Sequence, residues 1–483
     1  MKKIICAILT LIMLVLSVAS CGKDKESNTD VSSDTYENTT QTTYADDLPD
    51  DLDFGGQEIT IACRGGSWWE MELNEFEPSD TIVNNAVYMR NIAVQERLNV
   101  VLNVVPGNTA QSTYMSDIKT TIQSGMCDYD VVAGAQYLAA VMMLENCWRN
   151  LSDAPYLNYD KEYWHDEYMD SLSINTNTRY MLAGDIALSK IGWTACLYYN
   201  KDIYNNFLSS EYGSMEDMVL DRKWTLEDMK VMCAKVTDSV NDSEDALVGM
   251  VLNNESMCDR MTISFGIEFS KRDSEGYPYI TLNNEKTETF VSRILPMYTS
   301  LPGFTLGTEG DDLDKFIAKQ ALFGNGTLYT AMFRLNVEGV NVNYGIIPWP
   351  LYKDGMTEYS SAVQDNIALY MIPSTTAESR IDMICAVLEA MCSETYVNVT
   401  PNLYDVVLKT KYAPDDVYGE IVDIINNSAK TDILYVYSYE LNRIGQFMRD
   451  IAQGKFNSFS TWWATNGEKC SNLLPDLLEY MEE

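Results

Sequence analysis

Trp68 and Trp69 stand side by side in the run Arg64-Gly65-Gly66-Ser67-Trp68-Trp69. An indole face stacks on the C–H face of a sugar ring, and a nearby guanidinium donates to ring hydroxyls. Gln136 and Tyr137 repeat the combination with an amide and a phenol. Aromatic residues make up 11% of the chain and include 31 tyrosines, so most must serve the core or plain surface. Only position can mark a few as a site. Bond-breaking chemistry is poorly represented. No Gly-x-Ser-x-Gly, His-Glu-x-x-His or Walker run occurs. The single histidine, His165, lies in Tyr-Trp-His-Asp-Glu-Tyr with no nucleophile close in sequence. With 71 acids, some carboxylate pair always falls at a glycosidase spacing, so such pairs carry no information. No catalytic residue, cofactor or metal is expected, because Cys and His clusters are absent.

The elements that must carry these residues read as alternating strands and helices. Glu58–Cys63, Val100–Val105 and Tyr129–Ala133 are apolar runs of strand length. A helix that Asp80 caps lies between the first two, with Val83, Val87, Val94 and Leu98 at helical spacing, and Asn99 ends it. Another helix covers about 112–124. This order predicts a parallel sheet with ligand-facing loops beyond the strands' carboxyl ends. Those loops hold Arg64 to Trp69, and Gln136 and Tyr137.

Farther on, Arg179–Lys201 contains two apolar runs, Tyr180–Ala183 and Trp193–Tyr199, divided by Gly184-Asp185 and Lys190-Ile191-Gly192. Asn200-Lys201-Asp202-Ile203 and a polar loop follow, and Thr225 with Asp228 forms a capping box before a helix over 225–236. Leu247–Leu252 is a further strand. Phe316–Arg334 reads FIAKQALFGNGTLYTAMFR, Asn343–Pro350 reads NYGIIPWP, and Asp365–Pro373 reads DNIALYMIP. In this order the segments resemble the inter-lobe crossings and strand motifs of the family 1 extracellular solute-binding proteins, maltose-binding-protein-like receptors of ABC importers. One departure is Gln320, which stands where the family's F-x-x-G-x-A-M run has glycine. The resemblance covers about 54–483. It implies an α/β, two-lobed periplasmic-binding-protein-like fold (type II), with discontinuous lobes joined by crossing strands. It places Trp193 near the cleft floor, with Asn254, Ser256, Tyr329, Arg334 and Trp349 on the opposite lobe. The implied clamp sets Trp68 and Trp69 against Trp349.

The N-terminus has Lys2 and Lys3, an apolar run from Ile4 to Leu16, then Val18-Ala19-Ser20-Cys21. The run is too short to span a bilayer and looks like a bacterial lipoprotein signal, implying cleavage before Cys21 and its lipidation. Residues 22 to about 52 are Ser-, Thr-, Asn- and Asp-rich and read as a flexible tether with a reach of roughly 30 Å. Eleven cysteines, less Cys6 and Cys21, leave nine, an odd set with no framework spacing. They leave room for one or two disulfides without showing which. Cys385 and Cys392 fall on one helical face and read as buried thiols. The net charge of −37 argues against nucleic acid as a partner and against adsorption on anionic lipid.

The expected lobes are 54–188 with 366–425, and 189–365 with 426–483. The expected function is capture of a small-molecule solute, an oligosaccharide, for the permease subunits of an ABC importer. The chain is expected to act as a monomer, outside the cytoplasm, anchored to the bacterial cell membrane by lipid on Cys21. A surface glycan-binding lipoprotein with no transporter, or a secreted glycoside hydrolase, is the alternative.

Overall fold

The computed structural model describes residues 44–483, except 67, 176–177, 238–245, 309, 409–416 and 483. The signal sequence, Cys21 and the tether as far as residue 43 therefore lie outside the described residues. Residues 44–483 form one compact unit. Among the described residues no helix is long and apolar enough to cross a membrane.

Three strands come first, β1 (Gln57–Cys63), β2 (Val100–Pro106) and β3 (Val131–Ala135). Then come β4 (Ala195–Asn200), β5 (Val248–Leu252), β6 (Phe304–Leu306), β7 (Ala321–Thr327) and β8 (Tyr344–Ile347), and finally β9 (Ala368–Met371). They sort into a four-stranded sheet, β9-β3-β1-β2, and a five-stranded sheet, β8-β4-β7-β5-β6. In the first, β1 is parallel to β2 and to β3, with Ile61 opposite both Val104 and Val131. In the second, β5 is parallel to β6 and to β7, with Met250 opposite Phe304 and Phe323. Each sheet then takes one antiparallel strand: β9 beside β3, and β4 beside β7. β8 runs antiparallel to β4, and Leu182 makes the equivalent antiparallel bridge to Tyr370 in β9. The two sheets thus share one wiring, and the antiparallel strand of each adjoins the chain's passage from one sheet to the other. Every residue of β3, β4, β7 and β9 is buried, as strands covered on both faces require.

Local signals act where the sequence places them. Asn99 closes helix Ile82–Leu98 with φ 47°, an αL conformation that asparagine tolerates. The Thr225–Asp228 capping box starts helix Leu226–Val236. Three details differ from expectation. Thr81, not Asp80, is the N-cap of the first long helix, and its side chain makes no capping bond. The run Tyr180–Ala183 makes a single bridge, Leu182 to Tyr370, rather than a strand. Helix Val417–Asn427, expected with the first lobe through 425, packs on helix Thr400–Leu408 of that lobe and also on β8 and helix Met215–Leu220 of the second.

The end of the supposed tether is also fixed. Arg97 donates from both terminal nitrogens to the Asp46 carboxylate at 2.7 Å, and stacks on the Tyr44 ring at 3.5 Å. Lys161 pairs with Asp47 at 2.6 Å, and Leu48 is buried. A polar composition reads as coil, yet here two acids find fixed cations and one leucine finds the core. All nine cysteines are free thiols; every one but Cys127 is buried.

At the crossing, Glu72 of the first lobe binds both passing segments. Its carboxyl accepts from the Ser189 N–H at 2.7 Å and from the Tyr370 hydroxyl at 3.1 Å. Ser189 Oγ in turn accepts from the Ala368 N–H at 3.0 Å. Burial pushes the Glu72 carboxyl up from 4.5 to about 8. Between those two values the folded chain holds a proton that the unfolded chain has released. This contribution to stability is therefore complete below the unfolded value and is lost as pH rises toward 8. Glu72→Gln keeps the neutral shape. Its melting temperature should match wild type near about pH 5 and exceed it by about pH 8, with an upper bound of roughly 5 kcal/mol. Parallel pH profiles of the two proteins would refute this.

Candidate functional site

A cleft of about 360 Å³ opens where the two lobes and the returning crossing meet. Pockets for small ligands begin at about this size. The first lobe contributes Gln111, at the start of helix Gln111–Gln123, and Tyr137, just past β3. The second contributes Ser256, Asp259 and Arg260 on helix Ser256–Ser264, which follows β5. Gln364, Asp365 and Asn366 of the crossing form the floor, and Tyr435, Tyr439 and Arg449 arrive from the C-terminal helices. Beyond the carboxyl ends of β3 and β5, helix N-termini and loops converge on the cleft, as open α/β sheets dictate.

Its charges are largely settled within the protein. Asp259 is 2% exposed, and both of its oxygens accept from Arg449 Nε, at 2.8 and 2.9 Å. A further bond joins Arg449 Nη2 to the same carboxylate. Burial pushes Asp259 up to about 6, with Arg449 pulling the other way. Burial also works against the Arg449 charge, but the Asp259 carboxylate outweighs it and raises the guanidinium. Asp365 is raised by burial and lowered by the nearby Arg449 and Arg260. Among the polar atoms buried at the cleft, Asn366 Oδ1, an acceptor, and Gln111 Nε2, a donor, have no hydrogen-bond partner among the described residues. Arg64 fixes Gln111 by donating to its Oε1 at 3.2 Å. A group that reached these two atoms would have to donate to the first and accept from the second, as a hydroxyl can, and Tyr137, Tyr435 and Tyr439 line the same cleft.

Of the residues singled out from sequence, Tyr137 and Ser256 line this cleft and Arg64 supports it. Trp68, Trp193 and Tyr329 gather instead into an aromatic cluster with Phe333. The other expectations are corrected. Trp69 is 2% exposed and packs edge-on against Tyr114, because it points inward from the short helix Trp68–Met71. Trp349 is fully buried and edge-on to Phe265. Neither ring faces open space, so the clamp of Trp68 and Trp69 against Trp349 does not form. Gln136 is buried, its Oε1 accepting from the Tyr168 hydroxyl at 2.6 Å. Arg334 pairs with Asp314 at the exposed surface. Asn254 offers its carbonyl to Gln453 and does not line the cleft.

His165 binds Asp185 at 3.0 Å, and Asp185 also accepts from Thr400 at 2.6 Å. The other ring nitrogen, Nδ1, is buried with no hydrogen-bond partner among the described residues, so none of them stands as the nucleophile a triad needs at that nitrogen. Among the described residues no group of three or more His, Cys, Asp and Glu is placed to hold a metal.

The Asp259–Arg449 pair gives a direct test. Arg449→Met leaves a buried carboxylate without its cation, which costs about 3–5 kcal/mol. Chemical denaturation at pH 7 should show that loss. A double variant, Asp259→Leu with Arg449→Met, should recover most of it; a double variant no more stable than the single would count against the pair.

No protein-family model matches the sequence, and no curated protein matches it. Solved structures do. A cyclo/maltodextrin-binding protein complexed with maltotetraose aligns with a TM-score of 0.56 at 11% identity, over 88% of this chain and 97% of that one. The extracellular solute-binding protein of Staphylococcus aureus in complex with maltose gives 0.54 at 11%, over 90% and 98%. An ABC transporter solute-binding protein of Thermotoga lettingae bound with α-D-tagatose gives 0.54 at 13%, over 87% and 100%. At these identities the likeness speaks for the fold: the chain has the two-lobed, periplasmic-binding-protein-like α/β fold of these sugar-binding proteins.

Proposed function

We propose that this chain is an extracytoplasmic receptor that binds an oligosaccharide in the inter-lobe cleft and delivers it to the permease subunits of an ABC importer. Lipid on Cys21 would hold it at the membrane, and the lobes would divide near residues 188 and 366. The observation that carries the solute class is the pairing of a buried orphan acceptor, Asn366 Oδ1, with a buried orphan donor, Gln111 Nε2, at one cleft. Buried polar groups need partners, and sugar hydroxyls both donate and accept. Tyr137 and Tyr439 offer ring faces for the C–H side of a sugar. Because Arg449 is matched by Asp259, and Asp365 sits in the field of Arg449 and Arg260, a neutral ligand suits the cleft better than an ionic one.

Glycoside hydrolysis is the rival, since Asp259 and Asp365 share the cleft. A hydrolase needs two carboxyl groups free to protonate and to attack. Both oxygens of Asp259 are engaged by Arg449, which speaks for binding without turnover.

Calorimetry against a panel of oligosaccharides, peptides and polyamines tests the reading. An oligosaccharide should bind, and Asn366→Ala and Tyr439→Ala should each weaken it by about 1–3 kcal/mol, roughly 5- to 150-fold. Binding of peptides alone would overturn the sugar assignment. Release of reducing ends from any glycan would overturn the receptor.

A further inference from the structure

The aromatic cluster is separate from the polar cleft, although the crossing joins them: Gln364, which lines the cleft, donates its N–H to Trp193 O. Trp68 opens the short helix Trp68–Met71 that follows β1. Phe333 and Tyr329 come from the turn after β7, in the other lobe, and Trp193 comes from the crossing itself. The Trp68 ring lies 3.5 Å from that of Phe333 and 5.1 Å from that of Tyr329, centroid to centroid. Tyr329 in turn meets Trp193 edge-on at 5.8 Å and Phe333 at 5.3 Å. Phe333 sits on a π-helical turn, Ala331–Leu335, a local irregularity that aims a side chain where a regular helix would not.

We infer that Trp68 is a catch between the lobes: its ring seats in the Tyr329–Phe333–Trp193 cradle of the opposite lobe and crossing, and so sets the balance between open and closed forms through protein–protein contacts alone. The inference rests on reading the molecule as a hinged receptor. Two further observations fit a catch. The cradle has no slack, because a Cβ on Gly192 would lie 2.2 Å from the Tyr329 ring. The turn that bears the ring is also tied to the crossing through its backbone. Trp68 O accepts from the Glu72 N–H at 3.0 Å, and the Glu72 carboxyl holds Ser189 and Tyr370 of the two passing segments. Movement of the crossing is therefore transmitted to the turn that bears Trp68. A ring that packs only when the lobes meet stabilises the closed form by its differential contact.

Small-angle scattering and hydrogen exchange, with no ligand added, test this on wild type, Trp68→Ala, Phe333→Ala and the double variant. Loss of the packed ring should move the population toward open on the order of tenfold. The radius of gyration should rise in each single variant, and the double variant should be no larger than either single, because both remove one contact. Trp68→Phe, which keeps a ring in the cradle, should fall between wild type and Trp68→Ala, and is read if the alanine variants do not fold. Protection of backbone amides in both sheets should stay at wild-type levels, which separates opening from unfolding. Radii equal to wild type in folded Trp68→Ala and Phe333→Ala, or in Trp68→Phe alone should they not fold, would overturn the catch. A ligand panel that finds no sugar would overturn the receptor's solute class and leave this result standing.

Discussion

Each sheet of this protein contains a strand that the chain inserts as it passes between the lobes. β4 enters the second sheet after the outward passage, and β9 enters the first after the return, each against the direction of its parallel neighbour. An inserted strand cannot be withdrawn without breaking a hydrogen-bonded ladder on a fully buried surface. The passages are thus anchored at both ends and leave only short segments free to turn. The buried Glu72 carboxyl bridges two of these, at Ser189 and Tyr370. Any relative movement of the lobes is confined to a hinge whose hydrogen bonds are already assigned.

This confinement explains why the polar cleft and the aromatic cluster coexist without merging. The cleft draws on residues separated by long stretches of chain, the crossing among them. Charges that would be costly in isolation are matched there, Asp259 by Arg449 most closely. Asn366 Oδ1 and Gln111 Nε2 add a neutral acceptor and a neutral donor. The aromatic cluster, in contrast, has no polar work to do and seals one lobe against the other by ring contact.

The fold was readable in the sequence because strands buried on both faces are largely apolar, as β3 (VVAGA) and β9 (ALYM) are. Asn99 and the Thr225–Asp228 box marked helix ends through strictly local chemistry. The site was readable only in outline. The rule that ligands lie beyond carboxyl ends of strands led to Tyr137, and the family resemblance to Ser256; both line the cleft. It could not tell which way an indole turns, so Trp69 and Trp349 were expected outside and lie inside. Asp259 and Arg449 were not found, because a pair 190 residues apart leaves no spacing to detect. Residues 44–52 read as coil for the same reason: the cations that hold Asp46 and Asp47 lie far along the chain.

That fastening of Asp46 and Asp47 has a mechanical meaning. A pull arriving at Tyr44 passes through Arg97 and Lys161 into the body of the first lobe. None of these groups belongs to the crossing. The load path therefore ends within the first lobe, before the segments that pass between the two sheets.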